Sequence, residues 1–275
     1  MLDMPIQDVQ VNGYFIEAPI MRDLVDASLS TGVSLKYLMA KAAGESSFNP
    51  NCKAKTSSAT GIFQFTNSTW LEMMNKYGTE FGYAKEASYI SKENDKYIVT
   101  DKEKLSQILN LRKNAKLSSL MAAAFAKENY TFLKKYLNRE PYASELYLAH
   151  FLGSNGALQL LDALDKNAKA KAYKLMPEQA ASNPAVFYTS RNRRSDKTAR
   201  SVEQTYDYIR SYFRNHFFTF SNLASKYKLM GENAKKPAAD RIELKAKYKI
   251  SGNISSSVRK SADYIEQTSL HSLKI

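Results

Sequence analysis

The stretch Ser34-Leu35-Lys36-Tyr37-Leu38-Met39-Ala40-Lys41-Ala42-Ala43-Gly44-Glu45-Ser46 decides how this chain is read. Leu35, Leu38, Met39 and Ala42 stand at i, i+3, i+4 and i+7, the spacing of one apolar helix face. Ser34 precedes them as an N-cap candidate. Glu45 lies three residues past Ala42 and seven past Leu38, so it extends the apolar stripe. A carboxyl group on a core-facing stripe is desolvated, which raises its pKa and lets it stay protonated near neutrality. Such a group can donate a proton to a leaving oxygen. The competing reading is a glutamate paired with Lys or Arg, or turned to solvent. Asn49-Pro50 breaks the helix and leaves Glu45 near its end, at a cleft wall.

Working outward, the same periodicity recurs. Thr66 or Asn67 caps a helix through Trp70, Leu71, Met73 and Met74 that stops near Gly78. Further helices are predicted around Leu105–Leu109, Leu117–Phe125, Ala143–Leu152 (ending at Gly153) and Ala157–Asp165. Ser201 and Gln204 form a capping box for a last core helix with Val202, Tyr206 and Ile209. Residues 87–99 hold a short hairpin at most, and no other period-2 run is convincing. The fold class is mainly α. Residues 231–239 read as a linker, and 251–257 are Ser-rich and weakly periodic.

Composition narrows the function classes. The 275 residues are 44% hydrophobic and 24% charged, ordinary values for a globular protein. A single cysteine, Cys52, excludes a disulfide framework and cysteine-cluster metal sites; a passive thiol is expected there. His150, His216 and His271 have no metal-ligand spacing, and no phosphate-binding glycine pattern exists, so no metal or cofactor is expected. No run approaches the roughly 18 apolar residues of a membrane span. The first 20 residues lack a basic region followed by a continuous apolar stretch, so no standard signal peptide is read. That leaves a cytoplasmic protein, one exported or released by another route, or one whose leader has been removed.

Net charge is +13, and the last 62 positions, with 12 basic and 5 acidic residues, hold +7 of it. A field of that sign favours polyanions: nucleic acid, anionic membrane or anionic wall polymer. Arg191-Asn192-Arg193-Arg194 is an anion patch or a solvated loop.

A second segment, Gly61-Ile62-Phe63-Gln64-Phe65, follows a Ser/Thr-rich loop. Gly61 permits close backbone approach, and Gln64 can both donate and accept, which suits an N-acetyl or hydroxyl group of a sugar. Phe63 and Phe65 wall a cleft or belong to the core.

Glu45-Ser46 followed by Gly61-Ile62-Phe63-Gln64 resembles the ES and GLMQ signatures of the soluble lytic transglycosylases, which share the goose-type lysozyme fold. Thr69-Trp70 opens the next helix as the family does. Leu146 to Gly153 stands where the family carries its third, AYN-like motif. Asn183 to Tyr188 with Arg200-Ser201-Val202 resembles the closing segment of a subgroup found in bacteria and phage lysins. The resemblance runs from Met21 to Phe213. It implies a lysozyme-like helical domain over 21–213, an N-terminal segment 1–20, and a basic C-terminal extension 214–275, partly helical or flexible.

The resemblance also implies chemistry: cleavage of the β-1,4 bond between N-acetylmuramic acid and N-acetylglucosamine in peptidoglycan (murein). Glu45 would protonate the glycosidic oxygen, then take the C6 hydroxyl proton to close a 1,6-anhydro ring. Ser46 would orient Glu45 or the acetamido group, while Gln64 and the backbone near Gly61 hold the sugar. In the third motif His150-Phe151 replace the usual Tyr and Asn. His150 donates the Tyr-type hydrogen bond or is a core histidine, and Tyr188 is a second candidate. Ordinary glycosidases need two carboxyl groups; nearby are only Glu72 and Glu80, with Glu128 more distant. Two alternatives stand beside the transglycosylase: a lysozyme-like hydrolase of the same bond, and a catalytically weak binder of polyanion or cell wall on the same scaffold. The expected place of action is the periplasm or cell envelope. Expected partners are glycan strands and, through 214–275, an anionic wall polymer or a secretion or division partner. No specific nucleic acid is expected.

Overall fold

The structure, a computed structural model, describes residues 6–190 and 194–234. The expectations for 235–239, for the Ser-rich 251–257, for His271 and for Arg191-Asn192-Arg193 lie outside these residues. The chain is mainly helical, as the periodicity requires.

Close packing divides it into two units. The first holds 6–125 and 216–234 of the described residues, the second 126–190 and 194–215.

The first unit opens with a hairpin, β1 (Val9–Val11) paired antiparallel with β2 (Tyr14–Ile16). Its turn is Asn12-Gly13, both at positive φ. Asn-Gly is the residue pair that a two-residue hairpin turn favours, so residues 1–20 contain a signal that the helical reading passed over. Helix α1 (Ala18–Thr31) follows and ends at Gly32 in the left-handed region. Helix α2 (Leu35–Ser46) starts after Ser34 as expected, although the Ser34 side chain makes no cap bond. It is buried on all sides from Leu35 to Ala43 rather than along one stripe. The reason is tertiary: α1 packs against it, and so does α13 (Ser221–Ala234). Lys36 is buried as well, its ammonium 3.8 Å from the centre of the Phe217 ring.

Helix α3 (Asn67–Tyr77) is capped by Thr66, whose hydroxyl accepts from the Thr69 amide. The Trp70 indole, fully buried, donates to the Ile108 carbonyl at 2.8 Å. After α4 (Ala84–Ser88) comes the expected short hairpin, β3 (Ser91–Glu93) with β4 (Lys96–Ile98). Asp101 caps α5 (Lys102–Asn110) by accepting two amides. A 3-10 turn, Leu111–Lys113, leads into α6 (Ala115–Leu137).

In the second unit α7 (Ala143–Leu152) and α8 (Ser154–Asn167) pack together across Gly153, which takes φ 75° to make the turn. Glu145 is 1% exposed and fully engaged: Arg139 grips both carboxylate oxygens at 2.7 and 2.8 Å, and the Tyr142 amide donates to one of them. Three short helices follow, α9 (Ala172–Leu175), α10 (Pro177–Ser182) and α11 (Pro184–Phe187). The Ser201–Gln204 capping box forms in both directions at the start of α12 (Val202–Thr219).

Tyr14 packs on Phe48 and Phe220, and Phe217, Phe220 and Tyr227 are buried. Aromatic side chains on both flanks of residues 21–213 thus find core positions in the first unit, which charge counting along the sequence does not reveal. The linker expected from Gly231 is helical to Ala234, as α13 continues that far.

Candidate active site

Glu45 occupies the last turn of α2 and is half-buried. In that position the negative end of the helix dipole works against its charged form. The helix stops one residue later in a strained exit. Ser47 and Phe48 both take left-handed conformations, φ 52° and 66°, each costing roughly 1 kcal/mol for a residue with a Cβ. Their amides return to the Ala43 and Ala42 carbonyls. Phe48 is buried between Tyr14 and Phe220, with ring centres 5.9 and 5.5 Å away in edge-to-face contacts. Burial of a phenyl ring contributes about 2–3 kcal/mol, enough to hold the exit in place.

Ser46 joins the two motif segments. Its hydroxyl donates to the Ile62 carbonyl at 2.8 Å, with the Ala42 carbonyl at 3.2 Å. Its one proton is therefore committed to holding α2 against the Gly61 segment.

That segment is laced by its own backbone. The Gly61 amide donates to the Cys52 carbonyl, the Thr60 amide to Phe65, and the Ala54 amide to Ala59. Gln64, at φ 49°, donates both protons of its side-chain amide inward, to the Gly61 carbonyl at 2.8 Å and the Cys52 carbonyl at 3.1 Å. The amide group thus keeps only Oε1 for anything outside the loop, so toward a ligand Gln64 accepts and does not donate. Cys52 carries a free thiol, partly exposed. Phe63 and Phe65 are buried, at 0% and 1% exposure.

Arg112, which no motif marks, organises this loop. It is 7% exposed and donates to the carbonyls of Leu109, Ser58 and Phe65. Burial pulls its pKa below the usual guanidinium range. Gly61 is the point of closest approach: at φ 87°, a Cβ there would stand 2.1 Å from the Arg112 carbonyl oxygen. The close approach that Gly61 permits is therefore to Arg112.

A second unread residue is Lys41, one turn before Glu45 and 0% exposed. An isolated Lys within a helix reads as solvated by default, so nothing in the local pattern marks either cation.

Among the other carboxylates, Glu72 is held by Lys76 at 2.7 Å on α3, and Glu80 is exposed. No group of three metal-binding side chains exists among the described residues.

Ser46 thus joins the two motif segments. Residues 25–94 match the family model of the transglycosylase SLT domain. Over that span the chain is similar to the transglycosylase SLT domain. The matched span runs from within α1 to the turn of the β3–β4 hairpin and includes Glu45, Ser46, Gly61, Phe63 and Gln64. An SLT domain has peptidoglycan lytic transglycosylase activity as its general chemistry. It implies peptidoglycan as substrate and the cell envelope as the place of action. Among the described residues, no helix is long and apolar enough to cross a membrane.

His150 and Tyr188 lie outside the matched span, in the second unit. His150 is half-buried on α7, its ring 6.0 Å from that of Tyr147. Tyr188 follows α11, pairs with Ala199 and lies 5.6 Å from the Tyr173 ring. Arg200 fixes that closing segment by donating to the carbonyls of Ala185, Val186 and Tyr188.

Proposed function

We propose that the chain is a peptidoglycan lytic transglycosylase in which Glu45 is the single general acid and base. The observation that carries this reading is the Ser46–Ile62 hydrogen bond, which fixes the helix end bearing Glu45 to the loop bearing Gln64. Glu45 gives its proton to the glycosidic oxygen between N-acetylmuramic acid and N-acetylglucosamine, and the C1–O bond breaks. The resulting carboxylate takes the proton of the muramoyl C6 hydroxyl, whose oxygen bonds to C1. A 1,6-anhydro end forms without water, and Glu45 is again an acid. Gln64 Oε1 accepts from an acetamido N–H or a sugar hydroxyl. Ser46 acts by locking the helix end. Gly61 and Phe63 shape the loop from below, and His150 and Tyr188 are proposed as substrate-binding side chains of the second unit.

The test is mass spectrometry of peptidoglycan digested by the wild-type protein and by Glu45→Gln. The wild type is expected to release 1,6-anhydromuropeptides, and the variant to be slower by about 10²–10⁴-fold, the range of general acid–base catalysis. Equal release by both proteins removes Glu45 from the reaction. Reducing-end products from the wild type assign hydrolysis instead. Salt-resistant DNA binding without any cleavage assigns a binding protein.

A further inference from the structure

Helix α2 holds a buried charge that the chemistry above does not use. Lys41 is 0% exposed, and its ammonium has no hydrogen-bond partner among the described residues. It lies four residues before Glu45, so the two are neighbours along one side of the helix. Around the ammonium stand three phenyl rings: Phe63, Phe65 and Phe125, each with its centre 5.7 Å from Nζ. Attraction to ring faces offsets part of the cost of burying a cation. The remaining cost is large enough that a position needed only for packing is better served by an apolar side chain. Leu38, Met39 and Ala42, beside it in the sequence, are such residues.

The charged group felt at Lys41 is Glu45, on its own helix. The Gly61 loop and α6 present phenyl rings, and the loop's cation, Arg112, is turned to backbone carbonyls. Burial lowers the Lys41 pKa from 10.5 to about 8, against the opposing pull of the Glu45 charge. Tyr37, a turn further back, is pushed up by burial and then by the same Glu45 charge. Tyr37, Lys41 and Glu45 thus form one coupled column inside the helix.

We infer that Lys41 is a positioning residue for Glu45, whose buried ammonium, caged by Phe63, Phe65 and Phe125, stabilises the Glu45 carboxylate and lowers the pH at which the acid is lost. This rests on reading Glu45 as the acid and base of the SLT chemistry. The cycle needs Glu45 first as acid and then as carboxylate. The helix dipole opposes the second state; the ammonium beneath supports it. When Lys41 loses its proton the support disappears. Lys41 touches no reacting atom, and its effect passes through the field it places on Glu45.

Two measurements decide the matter. The first is the pH profile of kcat/KM on soluble glycan strands for the wild type and Lys41→Met, which keeps most of the side-chain volume and removes the charge. The alkaline limb, where Glu45 loses its proton, is expected to move up by about one pH unit with KM unchanged. An unmoved limb overturns the inference. The second is free of repacking at position 41: NMR of the wild type with ¹³C-labelled lysine. The Lys41 Cε signal is expected to titrate at about pH 8, and lower in Glu45→Gln, where the supporting carboxylate is absent. Identical midpoints overturn it. If the wild type cleaves no peptidoglycan, the enzyme reading fails, while the NMR comparison still decides whether the two groups are coupled.

Discussion

Lys41 weighs on stability as well as on Glu45. Its folded pKa is about 8 against an ordinary 10.5. Below pH 8 the folded and unfolded chains both hold the proton, and the folded state bears the whole penalty. Between about pH 8 and 10.5 the unfolded chain keeps the proton and the folded chain does not, so stability rises with pH across that window. The full span is worth about 3 kcal/mol. Lys41→Met is therefore expected to be more stable than the wild type at pH 7, with the gap closing toward pH 10. Thermal denaturation at both values checks it, and a gap independent of pH contradicts the account. At this scale the sequence marked Glu45 as a candidate, because helical spacing carries the line of Leu38 and Ala42 on to it, while spacing left a paired or solvated glutamate equally open and the resemblance favoured the acid. It did not mark Lys41, because the burial of an ammonium depends on rings brought by the Gly61 segment and α6. Nor did it reveal that Gln64 uses both amide protons within its own loop.

Elements join at two constrained points. One is the exit from α2, where Ser47 and Phe48 hold left-handed backbone against the packing of Phe48 on Tyr14 and Phe220. The other is Gly61 against Arg112. Gly61→Ala meets both a positive φ of 87° and a carbonyl oxygen 2.1 Å from the new methyl group. The loop must move away from Arg112, shifting Ile62 from Ser46 and Gln64 from Cys52. A destabilisation of about 2–4 kcal/mol is expected, with a loss of glycan cleavage larger than the loss of folded protein, measured by urea denaturation beside turnover. Cleavage reduced only in proportion to folded protein means that the loop geometry does not matter to the site. The helices themselves were legible: caps at Thr66 and Ser201, the stop at Gly153, and apolar spacing throughout are local signals. The hairpin at Val9–Ile16 was legible too, through Asn12-Gly13, but only if turn chemistry is weighed above strand length.

Across the molecule, charge and fold follow different divisions. The basic surplus grows toward the C-terminus, yet α13 packs on α1 and α2 within the first unit. Residues 235–275 hold 9 basic and 4 acidic residues, a net +5 of the +13. Deleting them is expected to weaken binding to anionic cell wall, most at low salt, and to leave cleavage of soluble glycan intact. Pull-down with wall sacculi over a salt series measures the first, and release of soluble fragments the second. Unchanged wall binding assigns the charge another role. The sequence by itself determined the helical class and most helix ends, and it offered Glu45 and the Gly61–Gln64 segment as candidates through their resemblance to the SLT family, because all of these rest on spacing and on short motifs. Only the tertiary structure decided that α2 is buried on every side, that Arg112 shapes the loop, and that a lysine lies in an aromatic cage below Glu45. Burial is set by which distant segments meet, and no local pattern carries that information.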